Sequence, residues 1–466
     1  MSKYSLGLAL AACSLLGLSN AHAAGKPTKP AATRVPGLEQ VQSTTLANGM
    51  KIIVWPDHDI PNVALYNWVH VGSRNEVTGI TGLAHFFEHM MFNGTSKRAP
   101  GEFDRSMEGR GGSNNAYTSE NVTVYQDWIP RSALDLVFDL ESDRIANLSF
   151  DPKVIESERG VVYSERRLRT EDSNEGFLSE QVQATAFVAH PYQIPVIGWP
   201  ADIQSWTGED LQKFFKTNNA PNNCTMVLVG DVSSDEVFAL ARKYLESIPR
   251  QAPPPKVHTT EPEQLGEKRV VVERNAQTPL LYIAYKSPAA NDPQDPAINL
   301  LMSVLAGGDS SRLHRLLVEE KKIAIDVAAS FQEGFDPGLS WVQLTLPQGA
   351  DPAEVEKVLD GALDQVVAQG VTEAELSRAK NQYASAFWKQ LSTIDGKAGL
   401  LGSFEVYEGD YKKLFDSPGV YEQVTREDVQ KAAALVFQKN HRTVGLLRSP
   451  ASPPANASAA PTGAKP

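Results

Sequence analysis

The chain has 466 residues, which is long enough for more than one domain. Hydrophobic residues make up 41% of it and charged residues 21%, as in ordinary globular proteins. The formal net charge of -12 argues against nucleic acids and anionic membrane surfaces as partners, because both would repel an acidic protein.

The first 23 residues have the pattern of a secretory signal peptide. Lys3 supplies the positive charge, residues 5–18 are apolar but too few for a membrane span, and residues 21–23 read Ala-His-Ala, as at a cleavage site. This pattern predicts a periplasmic or secreted protein. As an alternative, residues 10–13 resemble a lipoprotein cleavage box, which would leave Cys13 lipidated.

Residues 82–94 contain His85, Glu88 and His89 in the pattern H-x-x-E-H. On a helix, residues four apart share a face and the i+3 residue lies beside them. Two neutral imidazoles at this spacing can bind one zinc ion, with the carboxylate placed to accept a proton from water. We expect Thr81 to cap this helix and Gly94 to end it. The alternative is a chance match on a solvated helix, which the aromatic neighbours disfavour.

A second helix is predicted to begin at Asp151-Pro152 and to run to about residue 169, because an N-cap followed by proline is a helix start signal. Glu158 and Glu165 lie two turns apart on one face. We expect Glu165 to be the third metal ligand and Glu158 to orient the site. From spacing alone, an ordinary charged helix face explains these residues better.

Residues 71–76 and 81–95 resemble the pitrilysin/insulysin family of zinc peptidases, in its processing-peptidase branch with short subunits. The resemblance continues at residues 111–119, 190–192 and 221–223, and it covers about residues 40–448. It implies one Zn2+ per chain. It also places the third ligand 76 positions after the second histidine, at Glu165, with a supporting glutamate seven residues earlier, at Glu158.

Residues 113–129 are predicted to be extended, because apolar residues 122, 124 and 128 alternate with residues 123, 125 and 127. In the family this strand lies at a sheet edge beside the zinc, where the substrate adds as a further strand. The resemblance therefore implies that Asn115 and Ala116 bind the substrate backbone. From the sequence alone, a paired interior strand is equally possible.

The chain is predicted to contain two related halves. Residues 207–213 match residues 425–431 at an offset of 218, and Thr225 matches Thr443 at the same offset. The predicted fold is α+β: two homologous domains, each an antiparallel-rich sheet packed with helices, joined by a proline-rich linker. The predicted segments are a signal peptide at 1–23, a flexible leader at 24–37, a zinc-binding peptidase domain at 38–248, the linker at 249–268, a peptidase-like domain without a metal site at 269–448, and a disordered tail at 449–466.

The predicted function is a zinc endopeptidase for peptides or unfolded protein segments, with Glu88 as general base. The alternatives are a non-catalytic assembly or binding subunit of the same family and metal-dependent hydrolysis of a non-peptide substrate. Degenerate members of the family lack one or more of the residues that match the ligands and the base. This chain keeps them all.

A homologous partner subunit without zinc is also predicted. Single-chain relatives carry an arginine and a tyrosine in the half opposite the zinc, and these residues contact the substrate. The corresponding positions here are Val318 and Ile325, whose side chains donate no hydrogen bond. A heterodimer is therefore expected. A homodimer in which Arg312 or Arg315 serves instead is the alternative.

Overall fold

The computed structural model describes residues 33–450. The predicted signal peptide, Cys13, residues 24–32 of the predicted leader and residues 451–466 of the predicted tail lie outside this range. Among the helices between residues 33 and 450, none combines the length and the apolar character needed to cross a bilayer.

The strands of the described residues form two sheets. The first sheet contains β1 (Gln42–Thr45), β2 (Lys51–Pro56), β3 (Asn62–Val69), β4 (Ser113–Thr118), β5 (Thr123–Pro130) and β6 (Cys224–Gly230), in the order β1-β2-β6-β3-β5-β4. The second sheet contains β7 (Lys268–Glu273), β8 (Leu280–Ser287), β9 (Asp326–Phe331), β10 (Gly338–Thr345) and β11 (Arg442–Arg448), in the order β7-β11-β8-β10-β9.

The two sheets share one topology once β1 is set aside. In each, the first strand pairs in parallel with the last strand, and the other neighbours are antiparallel. Thr225 on β6 pairs with Lys51, and Thr443 on β11 pairs with Lys268. The predicted α+β fold with two similar units is confirmed. The residue boundaries assigned to the two domains remain predictions.

Fourteen α-helices surround these sheets within the described residues. They are α1 (Leu83–Met90), α2 (Glu102–Glu108), α3 (Leu134–Asn147), α4 (Pro152–Arg166), α5 (Asn174–Ala186), α6 (Pro200–Ser205), α7 (Gly208–Asn218), α8 (Ser234–Tyr244), α9 (Asp295–Ala306), α10 (Pro352–Gln369), α11 (Glu373–Leu391), α12 (Ile394–Glu408), α13 (Ser417–Gln423) and α14 (Arg426–Val436).

The repeat is also visible in the helix caps. Thr207 and Asp210 form a capping box at the start of α7, and Thr425 and Asp428 form the same box at the start of α14. Asp151 caps α4 as predicted, because its carboxylate accepts from the backbone N–H of Lys153 at 2.8 Å. Local capping chemistry therefore fixes these helix starts in both halves.

The two halves exchange helices. One face of each sheet is covered by helices of its own half, and the other face is covered by a helix of the opposite half. Helix α12 of the second half packs on β3 and β6, whereas α5 of the first half packs on the second sheet. The halves are therefore joined by two apolar layers as well as by the linker.

The contact between α12 and the first sheet depends on a glycine. A Cβ at Gly402 would overlap the indole ring of Trp68, whose side chain is buried on β3. We expect Gly402→Ala to destabilise the protein by about 1–3 kcal/mol, because an overpacked interface must move apart. Denaturant unfolding measures this change.

The matched control is Gly361→Ala on α10, where an added Cβ meets no atom within 4 Å. This substitution should leave stability unchanged or raise it by up to about 1 kcal/mol, since alanine favours helix. Equal stabilities for the two variants would show that α12 does not pack tightly on the first sheet.

Candidate metal centre

Helix α1 lies within the core of the first half. Its apolar side chains are buried, and Phe87 stacks on Phe214 of α7 at a centroid distance of 5.9 Å. His85 is also buried, whereas Glu88 and His89 are partly exposed towards a cleft. The apolar residues therefore fix how α1 is rotated, and this rotation turns the polar residues towards the cleft.

The start of α1 is capped by Glu76, which was not predicted from the sequence. The buried carboxylate of Glu76 accepts from the backbone N–H groups of Gly82 and Ala84 at 2.6 and 2.7 Å. The prediction that Thr81 caps the helix is wrong, because its hydroxyl donates to Asp202 at 2.7 Å instead. Burial raises the pKa of Glu76 to about 8, against the opposing effect of the two N–H donors.

The end of α1 also differs from the expectation. The helix ends at Met90, four residues before Gly94, which was predicted to end it. Asn93 holds this end through its side-chain amide, which donates to the carbonyl of His89 at 3.1 Å. The eight residues of α1 still span both histidines, so the predicted placement of both on one helix holds.

His85, His89 and Glu165 come together in the structure. Their nearest ligand atoms lie within 4.8 Å of one another. Oε2 of Glu165, on α4, is 3.2 Å from Nε2 of His89 and 3.6 Å from Nε2 of His85. Zinc–nitrogen bonds of about 2.0–2.1 Å place neighbouring tetrahedral ligands roughly 3.3 Å apart. The three residues therefore fit a zinc ion.

Glu158 orients one of the imidazoles. Its carboxylate lies 2.8 Å from Nδ1 of His89, on the side of the ring away from Glu165. The Nδ1–H group donates to this carboxylate, so Nε2 is the ring nitrogen that can bind a metal ion at the cluster. The position is the one expected for Glu158, and Glu156 of the same helix pairs with Arg159 instead.

The two imidazoles of the cluster differ in charge at neutral pH. Burial, followed by repulsion from His89, lowers the pKa of His85, so this ring is neutral at neutral pH. Burial also opposes charge on His89, but its hydrogen bonds to Glu158 and Glu165 outweigh that effect and raise its pKa to about 9. A metal ion must displace this proton, so binding is expected to release it.

Glu88 is held beside the cluster by a hydroxyl. Thr118, at the end of β4, donates from Oγ1 to Oε2 of Glu88 at 2.6 Å. Burial raises the pKa of Glu88, and the hydrogen bond from Thr118 partly offsets that shift. Oε1 remains free to accept a proton. Thr118 and Glu76 were not assigned roles from the sequence, although both lie within the runs that carry the family resemblance.

A cavity of about 700 Å3 opens onto these groups. We call it the metal cleft. Asn115, Ala116 and Thr118 of β4 contribute to its wall. In the sheet order β4 is the outermost strand, so the alternative of a paired interior position does not hold. Residues 113–129 form a hairpin of β4 and β5, with a turn between them, and not one continuous strand as the alternation suggested.

The fold and the cluster together define a two-unit α+β protein with an H-x-x-E-H metal centre in its first half. The description "Insulinase (Peptidase family M16)" matches residues 52–199, and "Peptidase M16 inactive domain" matches residues 205–383. The first match contains the cluster and the second begins after it.

The chain is 30% identical over 418 residues to the zinc protease PqqE of Helicobacter pylori, covering 88% of this chain and 93% of that protein. A crystal structure of a protease from Helicobacter pylori superposes with a TM-score of 0.85 at 30% identity, over 88% of this chain and 99% of the other. The probable mitochondrial-processing peptidase subunit beta of Arabidopsis thaliana is 25% identical over 373 residues, 78% of this chain and 69% of that protein. The chain belongs to peptidase family M16, the pitrilysin/insulysin family, in its processing-peptidase-like branch.

The positions of the two glutamates on α4 predict different effects on zinc binding. We expect Glu165→Gln to weaken binding more strongly than Glu158→Gln, because Glu165 faces both imidazoles whereas Glu158 contacts only Nδ1 of His89. Loss of an orienting partner typically costs about 10–100-fold in affinity. Competition with a chromophoric chelator gives both affinities, and the reverse order would contradict this assignment.

The control is Glu156→Gln on the same helix, where the carboxylate is exposed and pairs with Arg159. It makes the same charge change without touching the cluster, so its zinc affinity should equal that of the unmodified chain. A loss there as large as in Glu165→Gln would mean that charge alone, and not ligation, sets the affinity.

Proposed function

We propose that this chain is a zinc endopeptidase that hydrolyses peptides or unfolded protein segments. One observation carries the proposal: His85, His89 and Glu165 meet at one point, with the carboxylate of Glu88 beside them and the open edge of β4 along the same cleft. An extended peptide that pairs with β4 passes directly in front of these groups. Asn115 and Ala116 would then bind its backbone.

One Zn2+ ion held by the two imidazoles and Glu165 would supply Lewis acidity to the scissile carbonyl and lower the pKa of the attacking water. Glu88 accepts a proton from that water and passes it to the leaving nitrogen. Thr118 keeps Oε2 of Glu88 engaged, so that Oε1 faces the cleft. Glu158 fixes the ring of His89 throughout.

The alternative is a non-catalytic assembly or binding subunit of the same family. The retained cluster disfavours it, since a binding subunit has no need of a base beside three metal ligands. The part described as an inactive domain, residues 205–383, lies outside the cluster. We also propose a periplasmic or secreted location, which rests on the signal-peptide pattern of residues 1–23.

We further propose a homologous partner subunit without zinc. Val318 packs against the core of the second half and Ile325 is half exposed, so neither offers a hydrogen bond to a substrate. Arg312 is engaged by Glu375 at 2.9 and 2.6 Å, which removes one candidate for a homodimer. Arg315 remains exposed. The processing-peptidase relative is named as a subunit, which agrees with an enzyme of two chains.

If Glu88 is the general base, a variant that lacks its carboxylate should still bind zinc but should not hydrolyse peptides. Glu88→Gln should retain one zinc ion, because Glu88 is not a ligand, and should lose most peptidase activity, because the amide accepts no proton. His85→Ala should lose both metal and activity. Zinc content by atomic emission and turnover of a fluorogenic peptide library measure the two properties, and near-normal turnover by Glu88→Gln would remove Glu88 from the mechanism.

The missing donors predict that the isolated chain is a poor peptidase. Loss of one oxyanion donor typically costs about 10²–10³ in rate. The zinc-loaded chain, shown to be monomeric by light scattering, should therefore turn over peptides at least about 100-fold more slowly than a mixture with a homologous subunit that carries the arginine and tyrosine. Equal rates would rule out the two-subunit proposal.

A further inference from the structure

Two segments from opposite halves of the chain meet beside the metal cleft. Residues 332–336 lie in the connection between β9 and β10 of the second half, and we call them the second-half loop. Residues 119–122 connect β4 to β5 in the first half, and we call them the β4–β5 turn. Gln332 donates to Oε1 of Glu120 at 2.8 Å, and the backbone N–H of Phe335 donates to Oδ1 of Asn121 at 3.2 Å.

Tyr192 links the turn and the loop through one hydroxyl group. Its O–H donates to Oδ1 of Asn121 at 2.6 Å, and its oxygen accepts from the backbone N–H of Asp336 at 3.2 Å. Both Tyr192 and Asn121 are 1% exposed. No water competes for these bonds at such burial, so each one constrains its two partners.

The close approach requires a glycine in the loop. A Cβ at Gly334 would lie 2.5 Å from the hydroxyl oxygen of Tyr192 and 3.4 Å from Nδ2 of Asn121. Real Cβ atoms do not approach an oxygen this closely, so any other residue would push the second-half loop away from the turn.

The loop is further anchored by charge. Asp336 pairs with Arg74 of the first half and lies 3.2 Å from Nε2 of the buried ring of His190. Nδ1 of His190 accepts from the backbone N–H of Tyr192 at 3.2 Å, which leaves the proton of a neutral ring on Nε2, facing Asp336. The guanidinium of Arg74 also covers the ring of Phe335 at 5.3 Å.

The β4–β5 turn in turn adjoins the reacting groups. Thr118, the last residue of β4, holds Glu88, and Glu120 of the turn contributes to the wall of the metal cleft. The backbone of the turn is bound on its other side by the N–H groups of Ser73 and Arg74, at 3.3 and 3.0 Å. Movement of the turn would therefore move the end of the strand that we propose to bind the peptide.

We propose that the second-half loop positions the end of β4 for peptide binding, and that Tyr192 and Asn121 are positioning residues that transmit this constraint. The proposal rests on the proposed function of β4 as the strand that pairs with substrate. It assigns a role in the reaction to the half without metal ligands: the second half fixes the edge to which an extended peptide binds.

The first test removes one hydroxyl. Tyr192→Phe abolishes the bonds to Asn121 and Asp336 and keeps the buried ring. We expect KM for peptides to rise roughly threefold to tenfold, the loss typical of a removed hydrogen bond, while kcat and zinc content stay near those of the unmodified enzyme. The matched control is Tyr282→Phe on β8, a buried tyrosine of the same apolar cluster as Tyr192 whose hydroxyl bonds to neither the turn nor the loop. This variant should leave KM unchanged.

The second test changes a residue of the second-half loop. Gly334→Ala changes no first-half residue, but its Cβ would press against the hydroxyl of Tyr192, so it should displace the loop and raise KM in the same way. Gly266→Ala, a linker glycine whose added Cβ meets no atom within 4 Å, is the control and should behave as the unmodified enzyme. Both variants should unfold cooperatively, as judged by circular dichroism.

Hydrogen exchange gives a readout that does not depend on activity. Backbone amides of residues 113–122 should exchange faster in Tyr192→Phe and in Gly334→Ala, whereas the amides of β8 and β11 should not. Unchanged KM together with unchanged exchange in folded variants would overturn the proposal. If the unmodified enzyme hydrolyses no peptide, the proposed function fails, and faster exchange at residues 113–122 would still support the structural link.

Discussion

The helix that carries the metal motif is buried, and its polar side chains are stabilised by partners that lie elsewhere in the chain. Glu76 binds the first N–H groups of α1, Glu158 and Glu165 contact the imidazole of His89, and Thr118 donates to Glu88. A buried ionisable group without such partners would cost several kcal/mol. The first half is therefore arranged around the need to bring three separate segments to one short helix.

These partner residues act on different parts of the site. Glu165 meets both imidazoles and belongs to the cluster itself, whereas Glu158 acts through the tautomer of His89. Thr118 affects the base, and Glu76 affects the backbone on which both histidines are carried. The cluster is thus positioned from a helix terminus, from a neighbouring helix and from the edge of a sheet, and each contact restrains a different degree of freedom.

The second half supports the first through two kinds of contact. Helix α12 covers one face of the first sheet with apolar side chains, and the second-half loop binds the β4–β5 turn with polar ones. The apolar layer stabilises the association of the halves, since burial of apolar surface has no directional requirement. The polar contacts add direction, because a hydrogen bond is lost when either partner moves by about an ångström. A half that lacks metal ligands can in this way influence the shape of the metal cleft.

Much of the fold could be predicted from the sequence because the relevant signals are local or periodic. The capping residues of α4, α7 and α14 act within one helical turn, and the offset of 218 residues between Thr225 and Thr443 reports a repeated topology. The hairpin of β4 and β5 was missed because residues 119–121, Ser-Glu-Asn, contain neither glycine nor proline to mark the turn. The true bounds of α1 were also missed, since the side chain of Glu76 binds its start and the side-chain amide of Asn93 binds its end.

The sequence by itself determined the spacing of His85, Glu88 and His89, because a period of 3.6 residues places them on one face of any helix. It also determined that Glu158 and Glu165 share a face, but an ordinary charged helix has the same pattern. Only the tertiary structure decided that α4 lies against α1, that Glu76 and not Thr81 caps α1, and that Tyr192 joins Asn121 of the β4–β5 turn to Asp336 of the second-half loop. The contacts between the two halves join residues as far apart as Glu120 and Gln332, and no local propensity or periodicity specifies a contact across such a separation.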